Sequence, residues 1–476
     1  MAVPMPFFLD ARQGLAGYSF SGLGLFFVLL TLASTFLLKL YLNLHRKPEV
    51  PFVTDPKAFK YQFPPSPRQA LLDDPNPNPT AKKYRDLLRA VEQGPKVKGA
   101  TTATGFSIAD IEALGRFPDY SVLSGVPHPK PCPEFDIKTA CFRPYRPFRW
   151  KYHQTMALSK YEPDFWIELE QNYFSSLEQR KALLSEHGTN ILNYAPGSDL
   201  ACRELMEMVL QNICIRYPAQ FRLNESKTIL TNNLLRTKTD LTTTHPLHVL
   251  FANIPEDFAI MIRDPKTGIY HLDAGYICSS IGWTFGTHFR RPLWAIHTEV
   301  NDYEKMAKSM DRYFSKMPVN APIQRGAWFV EDWKPLFVTP EEYARNAGIR
   351  HSGDTKPVPI EECFLRVDWQ TLRRLPLSGA IVFNFKAIFT PLTELKDEPY
   401  APALLYKQVT EGRRKITEPK VHKHLLAVVL GALEEWKREQ VEKGLVVERW
   451  EEETLRESPF YPGWEKRWKE RIGFEI

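Results

Sequence analysis

Three consecutive runs decide the reading of this chain: LDAGYICSSIGW (272–283), RRPLWAIH (290–297) and NDYEKMAKSMDRYF (301–314). The first is apolar and strand-like. The second carries His297 to the end of an apolar segment, immediately before a new helix. The third has a capping-box-like start at Asn301 and Glu304. Its apolar face comes from Tyr303, Met306, Met310, Tyr313, Phe314 and Met317, and Pro318 ends it. QRGAW (324–328) then supplies Arg325 and Trp328. A histidine so placed can hold a cofactor; the bland alternative is a histidine at a helix start, satisfied by a backbone carbonyl.

Outward from these runs the pattern is that of a sheet. FAIMIRD (258–264) and IYHLDAGYICS (269–279) flank PKTG (265–268), a Pro-containing turn closing on Gly between two β-prone stretches. The block CFLRVDWQTLRRLPLSGAIVFNFKAIFTPL (363–392) ends in another β-prone run, Ala380–Phe389. Strands on both sides of the amphipathic helix predict an antiparallel sheet with packed helices, an α+β fold. Earlier, Phe165, Trp166, Leu169, Tyr173 and Leu177 recur near helical spacing from Pro163 until Gly188, a core stripe, and a second helix is expected over 199–215. Residues 48–130 are rich in Pro and polar residues, with a short helix near Tyr84–Gln93, and read as a linker and packed arm. Residues 414–476 read as a charged helical extension with a solvated face.

Near the start, Gln13 to Leu38 carries no charge, enough for one spanning helix over about 18–38. A cleaved signal is the alternative, but Asp10 and Arg12 precede the run and no small-residue cleavage site follows it. Lys39, His45, Arg46 and Lys47 flank its C-terminal side, which predicts an anchor within 1–47 and a large domain facing the cytosol. The endoplasmic reticulum is the default membrane. Asn224-Glu225-Ser226 is a glycosylation sequon that bears on this orientation.

Other chemistries lack their residues. No G-x-S-x-G, P-loop or H-E-x-x-H occurs, and the only Gly-x-Gly, at Gly22 and Gly24, sits in the apolar run. The chain therefore shows no nicotinamide or flavin fingerprint. Cysteines 132, 141, 202, 214, 278 and 363 form no C-x-x-C spacing and read as reduced thiols. A net charge of +6, spread along 476 residues, gives no case for nucleic acid. What remains are histidines 153, 245, 248, 271 and 297, Cys278 and Cys363, and arginines 290, 291, 325, 366, 373 and 374. Arginines beside an aromatic pocket suit a ligand with carboxylates. Haem has that chemistry: flat, apolar, with two propionates and one axial position for His or Cys.

Three segments carry a family resemblance: PFRWKYHQTMALSKYEPDFWIELEQNY (147–173), CSSIGWTFGTHFRRPLWAIHTEVNDYEKMAKSMDRYFSKMPVNAPIQRGAW (278–328) and LRVDWQTLRRLPLSGAIVFNFKAIFTPL (365–392). Over roughly 144–413 the chain resembles the haem-dependent oxidative N-demethylase-like family. The resemblance implies a PAS-like haem domain, placed at 131–413, that acts as a monooxygenase or demethylase on a small organic substrate, with electrons passed from NADPH by a separate flavin reductase. A secondary metabolite is one candidate for that substrate. The alternative is a non-catalytic haem or small-ligand sensor. On this resemblance His297 is the axial ligand, with His153 and His271 as rivals. Arg325, Arg373 and Arg374 hold propionates or orient substrate, and Gln370 and Trp328 shape the oxygen side. The family's Ile-His-x-Pro-Val-Pro reads Ile296-His297-Thr298-Glu299-Val300-Asn301 here, without either proline. Its Val-Glu-Arg-Gln-Thr-Leu reads Val367-Asp368-Trp369-Gln370-Thr371-Leu372.

Overall fold

Alternation of side chains about two long strands sets the architecture. The computed structural model describes residues 66–94, 101–150, 158–297, 303–334, 336–351, 358–447 and 454–475. The apolar run 18–38, His153 and the Asn301 helix start lie outside them. Among the described residues, no helix is long and apolar enough to cross a membrane.

Among the described residues ten strands form two sheets: β1 (Ser159–Lys160), β2 (Leu192–Tyr194), β3 (Phe221–Leu223), β4 (Ile229–Asn232), β5 (Thr237–Asp240), β6 (Asp257–Arg263), β7 (Tyr270–Tyr276), β8 (Ile323–Glu331), β9 (Phe364–Arg374) and β10 (Ile381–Pro391). The large sheet runs β1-β8-β9-β10-β6-β7-β2, antiparallel throughout, and β3-β4-β5 form a small separate one. The expected hairpin is β6–β7, and the β-prone run is β10. QRGAW turns out to be the middle of β8, and the arginine-rich stretch is β9. The predicted helix from Pro163 is instead a single 3-10 turn, Pro163–Phe165, with the α-helix starting at Tyr173. Between them the chain stays irregular because Glu168 is held inward, its N–H donating to Glu256 and its carboxylate paired with Arg143.

Directly paired residues share a face of a sheet. One face carries Trp328, Val330, Val367, Trp369 and Ile388. It is buried beneath Tyr145, Phe148 and the helices Ala401–Glu411 and Leu426–Glu442. Further along the same face, Phe258, Ile260, Ala274 and Val382 join the core built on helices Asp199–Arg216 and Pro246–Asn253. Gly326 lies under Trp369 on this side, where a Cβ would sit 3.1 Å from both that ring and Pro147.

The other face is only partly covered. Helix Tyr303–Lys316 packs Phe314, with Met317, on Met261, Tyr270, Leu272, Leu372 and Ile381. Beyond that helix the face stays half-exposed at every second position: Ile323, Arg325, Ala327 and Phe329 on β8, Asp368 and Gln370 on β9, Phe383, Phe385, Ala387 and Phe389 on β10. The residues between them on these strands are almost all buried. The sheet thus has a full core on one side and an apolar, half-open surface on the other.

Candidate functional site

The register fixes the floor of the site. Arg325, Gln370 and Phe385 form one cross-strand row, and Ala327, Asp368 and Ala387 the next. Phe329, Arg366 and Phe389 form the row beyond. The two alanines leave depth in the middle row, with Phe385 on one side and Phe389 on the other.

The wall is the segment after β7. Trp283, Phe289 and Ile296 pack against the same cluster as Ile323, Phe383 and Phe385. The rings of Trp283 and His288 stack at 4.7 Å. His297 follows Ile296, and its Nδ1 lies 2.8 Å from the carbonyl oxygen of Leu293. A carbonyl can only accept, so Nδ1 carries the hydrogen, and a neutral ring has its lone pair on Nε2. Burial holds this imidazole below the usual histidine value; the Leu293 bond opposes the shift, and the charge of Arg325 adds to it. The ring is therefore neutral at neutral pH. The bland reading, a carbonyl-satisfied histidine, and the ligand reading coincide here, because metal-bound histidines are oriented by such a bond.

Arg325 is the unusual charge. Its Nε is buried without a hydrogen-bond partner. Burial lowers its basicity, and Asp368 is the carboxylate that opposes this. Asp368 is itself tied to Arg366, Nε to Oδ1 at 2.8 Å. A guanidinium on an apolar face with no carboxylate in ion-pair contact among the described residues has the chemistry to accept an anion.

His297, Arg325 and Gln370 thus meet on the half-open face. The other expected site residues lie elsewhere. Trp328 points to the opposite face, edge-to-face with Phe148 at 5.7 Å. Arg373 also faces that way, 4.3 Å over the Trp166 ring. Arg374 is fully buried; its Nε donates to Met317 O at 2.7 Å, and Nη1 to Tyr270 Oη and Gly379 O, each at 2.8 Å. Nη2 donates to Phe314 O. It closes the C-terminal end of the helix above it. His271 alternates with Tyr270 and Leu272, which face the helix, and so lies on the other side of the strand. Burial pushes the thiols of Cys278 and Cys363 up, to about 12 and about 11, which disfavours the free thiolate at both.

Two residues at this site were not singled out by the sequence. His288 neighbours His297 and Arg291, and burial lowers it to about 4. Lys420 reaches the edge of β8 from a segment that reads as charged tail, and no local pattern marks it.

The protein-family comparison matches residues 157–430 to a family described as haem-dependent oxidative N-demethylase, alpha subunit-like. That is more than half of the 476 residues. The chain belongs to this family. The match spans β1 through β10, so the half-open face and His297 lie inside the family's own segment. The family's description names haem and an oxidative reaction. The residues present suit that group: one imidazole with its lone pair on Nε2, an apolar aromatic floor, and a buried guanidinium with an orphaned nitrogen. A macrocycle that brings four nitrogen ligands asks one axial ligand of the protein.

Proposed function

We propose that this chain is a haem-dependent oxygenase acting on a small organic substrate, by oxidative demethylation or a related monooxygenation. The observation that carries the reading is His297, its Nδ1–H tied to Leu293 O, beside the unpartnered Nε of Arg325 on a half-open aromatic sheet face. Counted from β6, five consecutive strands stand in the order 2-1-5-4-3, which supports a PAS-like reading of the sheet. Bound haem supplies oxygen activation. His297 would hold it through Nε2. Arg325 would neutralise a carboxylate at its edge. Gln370, in the same row, would offer an amide to the ligand side, and Phe383 and Phe385 would exclude water from the face. Electrons come from a separate NADPH- and flavin-dependent reductase, and residues 18–38 tether the protein to a membrane with this domain on the cytosolic side.

The test is the absorption spectrum of the full chain after haem reconstitution. A Soret band that His297→Ala abolishes or shifts is expected, followed by oxygen consumption with a reductase and NADPH. A folded wild-type protein that takes up no haem ends this reading; an unchanged band in the variant moves the axial ligand off His297.

A further inference from the structure

After helix Ala401–Glu411 the chain returns to the sheet. Val421 makes a parallel bridge with Val330 at the edge of β8. The two histidines beyond are pinned in turn: His422 Nε2 stands 3.1 Å from Glu331 Oε2, and His424 Nε2 stands 2.9 Å from Asp332 Oδ2. This strap sets Lys420 against the β8 edge. The lysine is 9% exposed, donates from Nζ to Trp328 O at 3.1 Å, and lies 4.7 and 5.0 Å from the ring centres of Trp328 and Phe329.

An ammonium has three donors. One is used on that carbonyl, and among the described residues no carboxylate stands in ion-pair contact with the others. Burial pushes Lys420 down to about 8; Asp368 opposes this and Arg325 adds to it. Both cations feel Asp368, yet Asp368 is already committed to Arg366. Phe329, which Lys420 Nζ reaches, shares the strand and the half-open face with Arg325, and cations held out of water on one face cost stability unless an anion joins them.

We propose that Lys420 and Arg325 form a two-cation clamp for a carboxylate carried by whatever occupies the half-open face. The inference rests on reading that face as the ligand site. Arginine offers a planar fork and lysine a point charge, so together they hold both oxygens of one carboxylate. The carboxylate is either a haem propionate or an acid group on the substrate, and the same chemistry serves both.

The experiment uses the full chain, its Lys420→Met and Arg325→Met variants, and two probes. Haem-free protein is first titrated calorimetrically with benzoate and with benzamide, its neutral counterpart. Wild type is expected to bind benzoate, each variant to bind it roughly tenfold more weakly, and benzamide to be indifferent to both changes. Equal binding of the two probes to wild type, or unchanged benzoate binding in both variants, overturns the clamp. This arm needs no haem, so a failure of haem uptake is told apart from a failure of the clamp. The second arm compares uptake of haem with uptake of its dimethyl ester. A preference for haem that disappears in Lys420→Met assigns the clamp to a propionate. Equal uptake of both, with a benzoate-induced spectral change of the haem-loaded protein that Lys420→Met loses, assigns it to the substrate.

Discussion

Arg325 on β8 stands directly across the ladder from Gln370 on β9, and both side chains face the half-open side of the sheet. The row brings together a neutral amide and a cation that has no bonded carboxylate among the described residues, over a floor of phenylalanines. Such a cation costs folding energy while no anion pairs with it. Arg325→Met is therefore expected to raise the stability of the haem-free protein by about 1 kcal/mol, read as a higher urea midpoint. A lower midpoint would show that the guanidinium supports the fold.

Arg374 is next to Arg373 in sequence and opposite to Arg325 in consequence. Its donors meet the carbonyls of Phe314 and Met317 at the end of helix Tyr303–Lys316, together with Gly379 O and Tyr270 Oη. Arg374→Met strands these buried acceptors and is expected to cost about 3–5 kcal/mol in urea unfolding. Lys, a single point charge, is expected to recover less than half of that. A haem-binding defect in Arg374→Met with stability intact would return this residue to the site.

How far the chain was legible follows from these residues. A Pro-containing turn between β-prone stretches gave the β6–β7 hairpin, β-prone composition gave β10, and the Met-Tyr-Phe stripe gave the covering helix. β8 and β9 were obscured because their half-open face carries Arg325, Asp368 and Gln370, which break the apolar alternation that marks a strand. Equally, three arginines of one neighbourhood look alike in sequence. Register separates them: Arg325 faces the ligand side, Arg373 the core, and Arg374 a helix end. His297 was legible because an apolar segment ends on it. Lys420 was not, since only the Val421–Val330 bridge brings it to the sheet.

Glu204 gives a pH dependence of known sign. It is fully buried and accepts from the N–H groups of Leu377 and Ser378. Burial nonetheless raises its carboxyl from 4.5 to about 7, with Glu207 adding to the rise. The folded protein then binds more protons than the unfolded chain between those values. Its contribution to stability is full below about pH 4.5 and is lost as pH rises through 7, by roughly 3 kcal/mol. Unfolding free energies measured from pH 5 to 8 are expected to fall more steeply in wild type than in Glu204→Gln. Parallel slopes would assign the pH dependence to other groups.

The proposed membrane orientation is tested at Asn224, which is exposed on the turn between β3 and β4. Its Oδ1 accepts from the N–H groups of Thr228 and Ile229, and its Nδ2 donates to Ser226 and Thr228. The sequon is thus at the surface, where a lumenal domain could carry a glycan without disturbing the core. With the domain in the cytosol, native protein is expected to show no mass change at the 224–226 peptide after glycosidase treatment. Full-length chain is expected to sediment with membranes and resist carbonate, while chain lacking residues 1–47 stays in the supernatant. A glycan on Asn224 would reverse the orientation, and a truncated chain that still sediments would shift membrane attachment away from 18–38.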